Sequence, residues 1–449
     1  MRNGSLGERI KAVPRDLGWP LVALLVIALV LGGGGIRHGL TNLIVQLTAL
    51  GVLLFQPGLV RRFAAEAPMW LKILVAVTIL VPLLQLVPLP ASVWRGLPGR
   101  EMAAEARDLI DEGSGWFPIT LDRARTVVAL FALVGPLAIL LSSHSRDADW
   151  RRSALVLLVG LAFLQFALGV IQFAAGGDAL TLYETNQTGR FYGFFVGHIS
   201  SGLFMVIGLT CLVGLFASRQ RSNLDLLVYP AGAALLIIGV ILSGSRSAVA
   251  LLSIPGLWMV WLAWQELRHF SSRTRWFALG AVLVTALLAG LLMATNQRLG
   301  ETWERFQSFE DSRPDIWADT QIGIERYWPV GSGFGTFDEV FQVEESLETL
   351  PAKKAARAHN EYLEIALEAG IFGIALVAAW VAALLYSAFR GLRMVHASVT
   401  LAAALCLLCI ALQALIYFPM RNMTVLCVAG LLVALLTAPV TIKRDRVIE

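Results

Sequence analysis

AHNEYLEIALEAGIFG, at residues 358–373, joins a polar, ionisable cluster directly to an apolar helix. The apolar sequence continues well beyond residue 373 and is long enough to cross a bilayer, which takes about 20 residues in a helix. The stretch therefore predicts a membrane helix that begins just after His359. Its imidazole is expected at the edge of the membrane, in the interface between water and lipid.

The composition of the whole chain is that of a polytopic membrane protein. Of its 449 residues, 57% are hydrophobic and 15% are charged, whereas soluble domains carry about 25% charged residues. Every backbone polar group inside lipid has to be paired internally, so apolar blocks of this length form helices. The sequence does not show the short alternating segments of a transmembrane barrel. We therefore expect an all-α polytopic membrane protein.

The apolar blocks predict about 12 transmembrane helices with a helical cap on one face. The first block is expected to be a retained span, because no small-x-small cleavage pattern follows it. By the length rule, the spans lie near residues 19–35, 39–56, 69–88, 124–143, 153–175, 195–217, 224–243, 246–264, 276–295, 361–388, 398–418 and 422–440.

Basic residues predict which side of the membrane each loop occupies. Short loops rich in arginine and lysine are cytoplasmic, and with twelve spans these loops fall on one side together with both termini. The net charge of +4 then reflects topology and not nucleic-acid binding. The opposite face receives three longer segments, which are residues 89–121, 176–194 and 295–360.

The predicted organisation is one integrated membrane domain. Residues 1–294 form the N-terminal membrane helices with two of the longer loops, residues 295–360 form the largest loop, and residues 361–449 form the C-terminal membrane helices. Two short helices are expected in the largest loop, at 301–309 and 313–326, where apolar residues have helical spacing. The four cysteines lie in apolar blocks and are expected to be buried thiols without a disulfide or metal.

Four arginines on the non-cytoplasmic face are candidate binding residues: Arg190, Arg246, Arg313 and Arg421. Charges at membrane depth are expensive and are often functional. Guanidinium groups bind phosphate oxygens in a bidentate manner, so several on one face suit a pyrophosphate whose lipid tail stays in the bilayer. Arg246 stands out because its loop, residues 243–247, is too short to be a solvated surface. The structural alternative is interfacial snorkelling or an ion pair.

His359 is the main candidate for acid–base chemistry, because an imidazole titrates near neutrality and accepts a proton from a hydroxyl group. A helix-capping or interfacial histidine is the structural alternative. Glu364 and Glu368 follow one turn apart on the same helix face, so one of them is suited to orient the histidine or a nearby arginine. In the alternative interpretation, Glu361 and Glu364 are solvated above the membrane.

The order of four features resembles the bacterial O-antigen ligase and polysaccharide polymerase superfamily. They are Arg190 with the aromatic segment 191–195, the Ser-Gly-Ser-Arg-Ser turn at 243–247, the stretch GSGFGTF at 331–337, and the motif that runs from His359 to residue 373. The glycine-rich stretch is not a phosphate loop, since no Lys-Ser/Thr follows it and no strand precedes it. It is expected to shape a turn.

The resemblance implies a glycosyltransferase in the bacterial inner membrane with a periplasmic active site. Its donor is a glycan on undecaprenyl pyrophosphate, and the transfer is inverting and metal-independent, without a cofactor. His359 would be the base that activates the acceptor hydroxyl, and Arg190 and Arg246 would bind the pyrophosphate. The expected partners are this donor, the acceptor and membrane lipids, with no nucleic acid. The supporting residues would be Arg313, Glu368 and Arg421.

Three functions remain open from the sequence. An O-antigen ligase moves the glycan to lipid A–core, whereas a polysaccharide polymerase moves it to another lipid-linked glycan, and both need the same donor site. A multi-span transporter would share the intramembrane arginines. A transporter is also expected to show paired halves with interrupted helices in matching positions, and we find no such pairing in the sequence.

Overall fold

The computed structural model describes residues 13, 15–35, 37–144, 150–175, 180–184, 191–218, 225–267, 313–347, 355–394 and 396–438. Three of the sequence predictions lie outside the described residues. They are the span near 276–295, the short helix at 301–309, and the position of Arg190.

The described residues form a helical, multi-pass membrane protein, as the sequence predicts. Six helices are long and apolar enough to cross a membrane, and a seventh span results if the bent pair Gly39–Phe55 and Leu59–Glu66 is one span. The angle within this pair is 79°. Four further apolar helices in the described ranges are shorter. The number of twelve spans and the cap on one face stay predictions.

The elements are numbered here in chain order. They are α1 (Trp19–Leu31), α2 (Gly39–Phe55), α3 (Leu59–Glu66), α4 (Met69–Gln85), β1 (Pro88–Pro90), α5 (Ala91–Trp94), α6 (Glu101–Asp108), β2 (Trp116–Pro118), α7 (Arg123–Ala132), α8 (Val134–His144), α9 (Trp150–Ala174), α10 (His198–Ala217), α11 (Asp225–Leu242), α12 (Arg246–Leu251), α13 (Ser253–Leu267), α14 (Arg313–Tyr327), α15 (Phe337–Glu344), α16 (Glu361–Gly391), α17 (Ala397–Ala414) and α18 (Met423–Thr437).

The chain divides into two compact units, of which the first comprises residues 1–157 and 312–449. Helix α18 lies at its centre and packs against α1, α8, α16 and α17. Most of its side chains are buried, as expected for a helix that is apolar on every side. The second unit, residues 158–311, has α10 at its centre, packed against α11, α12 and α13.

The long segments between the spans of the first unit are packed structures. Strands β1 and β2 pair antiparallel, with Leu89 opposite Phe117, and Trp94 is buried beside them and donates from Nε1 to the carbonyl of Pro118. Helix α14 confirms the short helix predicted at 313–326. It packs with α15 around a buried cluster that includes Phe337 and Phe341. The small sheet was not predicted from the sequence.

Helix α16 covers the span predicted at 361–388, but its helical geometry is interrupted at Gly370. The predicted start of the helix just after His359 is therefore confirmed, whereas the interruption at Gly370 was not predicted. Gly370 has φ 54° and ψ −138°, a conformation that only glycine adopts readily. The N–H of Ile371 donates to the carbonyl of Pro329, at 3.0 Å, in a distant part of the chain.

Candidate active site

His359 lies immediately before α16 in a backbone conformation that few residues adopt. Its φ is +50°, in the left-handed region where histidine, asparagine and aspartate are enriched among non-glycine residues. On one side, Asn360 caps α16 by accepting hydrogen bonds from the backbone N–H groups of Tyr362 and Leu363. On the other side, the indole of Trp317 donates to the carbonyl before His359, at 2.8 Å. The backbone that carries the imidazole is therefore held from both directions.

The His359 ring packs against aromatic side chains of the turn between α17 and α18. Its centroid is 5.3 Å from that of Phe418 and 6.2 Å from that of Tyr417, and these two rings stack on each other at 4.2 Å. His359 is half-buried. The imidazole therefore has a fixed apolar neighbour while part of its surface stays accessible.

Three carboxylates follow His359 on one face of α16. Glu361, Glu364 and Glu368 are 4%, 0% and 0% exposed. The alternative interpretation, in which Glu361 and Glu364 are solvated, is therefore wrong. Their spacing of three and then four residues places all three on the same side of the helix, where they face Arg421.

Arg421 binds all three carboxylates. Its Nη2 lies 2.6 Å from Glu368 Oε2 and 3.4 Å from Glu364 Oε2, and its Nε lies 3.8 Å from Glu361 Oε1. Burial opposes the charged form of Arg421, but the three carboxylates outweigh it and raise the pKa of its guanidinium above the ordinary value. Arg421 is thus an ion-pair partner of α16, which is the structural alternative given for the arginines. This contact agrees with the prediction that Glu364 or Glu368 orients a nearby arginine.

A second guanidinium connects the cluster to the backbone at His359. Arg357 Nη1 lies 3.0 Å from Glu364 Oε2, and the other oxygen of Glu364 accepts the backbone N–H of Ala358, also at 3.0 Å. Glu364 therefore holds the two residues that precede His359. The ion pair of Arg357 with Glu364 was not predicted from the sequence. The available signal was a basic residue two positions before His359.

The glycine-rich stretch at 331–335 docks on the break in α16. The N–H groups of Ser332 and Gly333 donate to the carbonyls of Leu367 and Glu368, at 3.0 and 2.8 Å, which satisfies the acceptors that the break exposes. A Cβ on Gly331 would lie 2.5 Å from the Glu368 carbonyl oxygen, so only glycine allows this approach. The predicted turn is therefore the support of the helix break.

Gln85 is a buried residue at the end of α4 that sequence reasoning missed. Its Nε2 donates to the carbonyl of Glu368, at 2.9 Å, and its Oε1 accepts the N–H of Phe334, at 2.9 Å. A single amide thus joins α16 to the glycine-rich loop. The signal in the sequence was a glutamine near the end of a mostly apolar block.

The other predicted arginines lie at helix starts or outside the described residues. Arg313 is the first residue of α14 and is half-buried. Arg246 is the first residue of α12, in the second unit, and is exposed. The turn before Arg246 is formed by Gly244, with φ 65°, and by Ser245, whose Oγ caps α12 by accepting the N–H of Ala248. The convergence of Arg190 and Arg246 with His359 stays a prediction.

Two buried glutamines of α9 hold the aromatic segment that follows Arg190, within the second unit. Gln165 accepts the N–H of Phe194 and donates to the carbonyl of Tyr192. Gln172 accepts the N–H of Gly193 at 2.7 Å and donates to its carbonyl at 3.1 Å. Both side chains are fully buried. These residues were also missed, and again the signal was a glutamine within an apolar block.

Replacing Gln172 with leucine should destabilise the protein by about 1–3 kcal/mol, because it leaves both backbone groups of Gly193 buried without a partner. Thermal unfolding of the purified protein in detergent measures the change. Gln342→Leu is the matched control, because Gln342 is exposed and its amide donates to the carbonyl of Asp338 within α15. Equal unfolding temperatures for the two variants would contradict this account of the segment.

Residues 231–378 match the family model described as O-Antigen ligase. This match supports the resemblance of the chain to the O-antigen ligase superfamily. The O-antigen ligase match includes Arg246, the glycine-rich loop, His359 and Glu368, and it ends before Arg421. No curated protein shows a significant match to the chain. Within the described ranges, no group of three or more His, Cys, Asp and Glu side chains is placed to hold a metal ion.

Proposed function

We propose that this O-antigen ligase-family enzyme transfers a glycan from undecaprenyl pyrophosphate to a hydroxyl of lipid A–core at the periplasmic face of the bacterial inner membrane. The observation that carries the proposal is the family match over residues 231–378 together with the position of His359 inside it. His359 precedes a membrane helix. Its backbone is held by the hydrogen bonds of Ala358 to Trp317 and Glu364 and by the helix cap that Asn360 forms.

In the proposed reaction, His359 removes the proton from the acceptor hydroxyl as the oxygen attacks the anomeric carbon of the donor. The bond from that carbon to the pyrophosphate oxygen breaks, and the leaving group departs with the electron pair. Attack from the opposite side inverts the anomeric centre. Pyrophosphate is a good leaving group, so neither a cofactor nor a general acid is needed.

Arginines stabilise the departing pyrophosphate in this proposal. Negative charge develops on the leaving group, and guanidinium groups already in place stabilise it without reorganisation. Arg190 and Arg246 are the proposed ligands, with Arg313 in a supporting role. Arg421 is assigned a different task, because three carboxylates already bind its guanidinium. It fixes the helix that carries the base.

Replacing His359 with asparagine tests the assignment of the base. Asparagine tolerates the left-handed backbone that position 359 requires, so the protein should accumulate normally in the membrane. Transfer from a lipid-pyrophosphate glycan should fall by about 100-fold or more, which is the usual contribution of a general base. His396→Asn, at the start of α17, is the matched control and should keep its activity. Normal glycan transfer by His359→Asn would eliminate the assignment.

Replacing Arg246 with lysine tests the pyrophosphate site. A lysine ammonium carries the same charge but cannot reproduce the planar fork of the guanidinium. The rate of transfer should fall about tenfold or more, since a bidentate contact is lost. Initial rates with the lipid-pyrophosphate donor measure this effect. Wild-type rates in Arg246→Lys would remove Arg246 from the donor site.

A deletion strain separates the ligase from the polymerase, which uses the same donor. The loss of all attached polymer, with lipid-linked polymer accumulating, indicates a ligase. A single repeat unit left on the core indicates a polymerase. The family description, O-Antigen ligase, favours the first outcome, and it favours an enzyme over a transporter.

A further inference from the structure

The buried cluster on α16 contains more negative than positive groups. Glu361, Glu364 and Glu368 contribute three carboxylates, whereas Arg357 and Arg421 contribute two guanidinium groups. With all five groups ionised, one negative charge is in excess. An uncompensated buried charge is costly, and it is relieved either by a cation next to the cluster or by the uptake of a proton.

The same turn contacts both His359 and Glu361. The rings of Tyr417 and Phe418 pack against the His359 ring, and the N–H of Met420 donates to Glu361 Oε2 at 3.1 Å. Glu361 is also the carboxylate of the cluster that is closest to His359 along the chain. The carboxylate and the imidazole are therefore two residues apart in sequence and contact the same turn, at Met420 and at Tyr417 and Phe418 respectively.

We infer that Glu361, together with the excess negative charge of its cluster, is a positioning residue that stabilises the protonated form of His359. The inference rests on the proposed function, in which His359 takes the proton of the acceptor hydroxyl. Positive charge then develops on the ring, and a fixed negative charge nearby stabilises it without reorganisation. The same charge makes the neutral imidazole a stronger base.

The elements packed against the cluster carry other titratable or charged groups. Helix α4 presents the amide of Gln85, and α17 presents a backbone carbonyl to the Tyr362 hydroxyl. Besides Tyr362 of α16 itself and Tyr417 of the turn, the titratable and charged groups on these packed elements are Lys72, Arg313, Asp315, Asp319, Glu325, Arg326, Tyr327, Asp338, Glu339, Glu344, Cys406, Cys409 and Cys427. Glu361→Gln and Arg357→Gln leave all of these groups unchanged, so the difference between the two variants reports on the charge of the cluster.

Two substitutions change the excess charge in opposite directions. Glu361→Gln removes the excess and keeps an oxygen to accept the N–H of Met420, whereas Arg357→Gln doubles the excess. The measurement is the rate of transfer by the purified full chain between about pH 5 and pH 9, with a polyprenyl-pyrophosphate oligosaccharide and lipid A–core. The midpoint of the acid limb should move about 0.5–1 pH unit lower in Glu361→Gln and higher in Arg357→Gln.

Structural damage alone lowers the rate in both variants without moving the midpoints apart. Glu361→Asp keeps the charge and should restore the wild-type midpoint. Glu339→Gln is the matched control, because Glu339 pairs with Arg125 and not with an arginine of the cluster, and it should leave the midpoint unchanged. If Glu361→Gln yields no folded protein, Arg357→Gln decides, and a midpoint that is unchanged or lower overturns the inference.

The two proposals fail in different ways. Full activity in His359→Asn overturns the assignment of the base, and the inference about Glu361 falls with it. An inactive His359→Asn combined with identical midpoints in wild type, Glu361→Gln and Arg357→Gln overturns only the inference. In that case the cluster takes up a proton itself and has no effect on the imidazole.

Discussion

Replacing Arg421 with leucine is expected to destabilise the protein by about 3–5 kcal/mol, the usual cost of removing one partner from a buried ion pair. The side chain of Arg421 is only 14% exposed and lies against three carboxylates that are almost fully buried. Without the guanidinium, Arg357 alone faces these charges. Detergent extraction followed by gel filtration and thermal unfolding measures the loss of folded protein.

Two further variants show whether charge is the cause of this loss. Arg421→Lys should recover part of the stability, because it restores the charge but not the three-way contact. Arg95→Leu is the control, since Arg95 and Asp108 form an exposed pair and such pairs contribute about 0–1 kcal/mol. If Arg421→Leu unfolds at the same temperature as Arg95→Leu, the cluster does not hold α16 in place.

Replacing Gly370 with alanine should be as damaging, with a cost on the order of 3 kcal/mol or more from backbone strain and a steric clash. A Cβ at this position would lie 2.0 Å from the carbonyl oxygen of Pro329, which is backbone and cannot rotate away. Its positive φ also disfavours alanine. We expect little folded protein, and no transfer, because the segment after His359 loses its support.

The control for this substitution is Gly160→Ala. Gly160 lies within α9 and has nothing within 4 Å of an added Cβ, so alanine there removes only the flexibility of glycine in a helix. The yield of folded protein and the unfolding temperature should match or exceed those of the wild type. A Gly370→Ala variant that behaves like Gly160→Ala would show that α16 runs straight through this position.

The sequence predicts the helices well because hydropathy is a local property. The start of α16 after His359 was predicted from the change from polar to apolar residues. The interruption at Gly370 was not predicted, because it depends on backbone groups of Pro329, Ser332 and Gly333 that come from a different part of the chain. A glycine within an apolar helix does not by itself show whether the helix is broken.

The candidate site was predicted only in part for a similar reason. The chemistry of His359 and the arginines follows from residue type, but the partner of each charge does not. Arg421 was considered for a phosphate, whereas it binds Glu361, Glu364 and Glu368. The regular spacing of these three glutamates was a usable signal, since it places them on one helix face. Buried carboxylates that are grouped in this way need a cationic side chain on the facing element.

The interruption of α16 has a mechanical consequence. Membrane helices tilt when the thickness of the bilayer changes, and a rigid rod would transmit that tilt to His359. Here the helical geometry is interrupted at Gly370, and the residues before it are tied to Gln85 and to the loop at 331–335. A tilt of the part of α16 after Gly370 is therefore not transmitted rigidly to the imidazole. We expect the rate of glycan transfer to be insensitive to the acyl-chain length of the surrounding lipid.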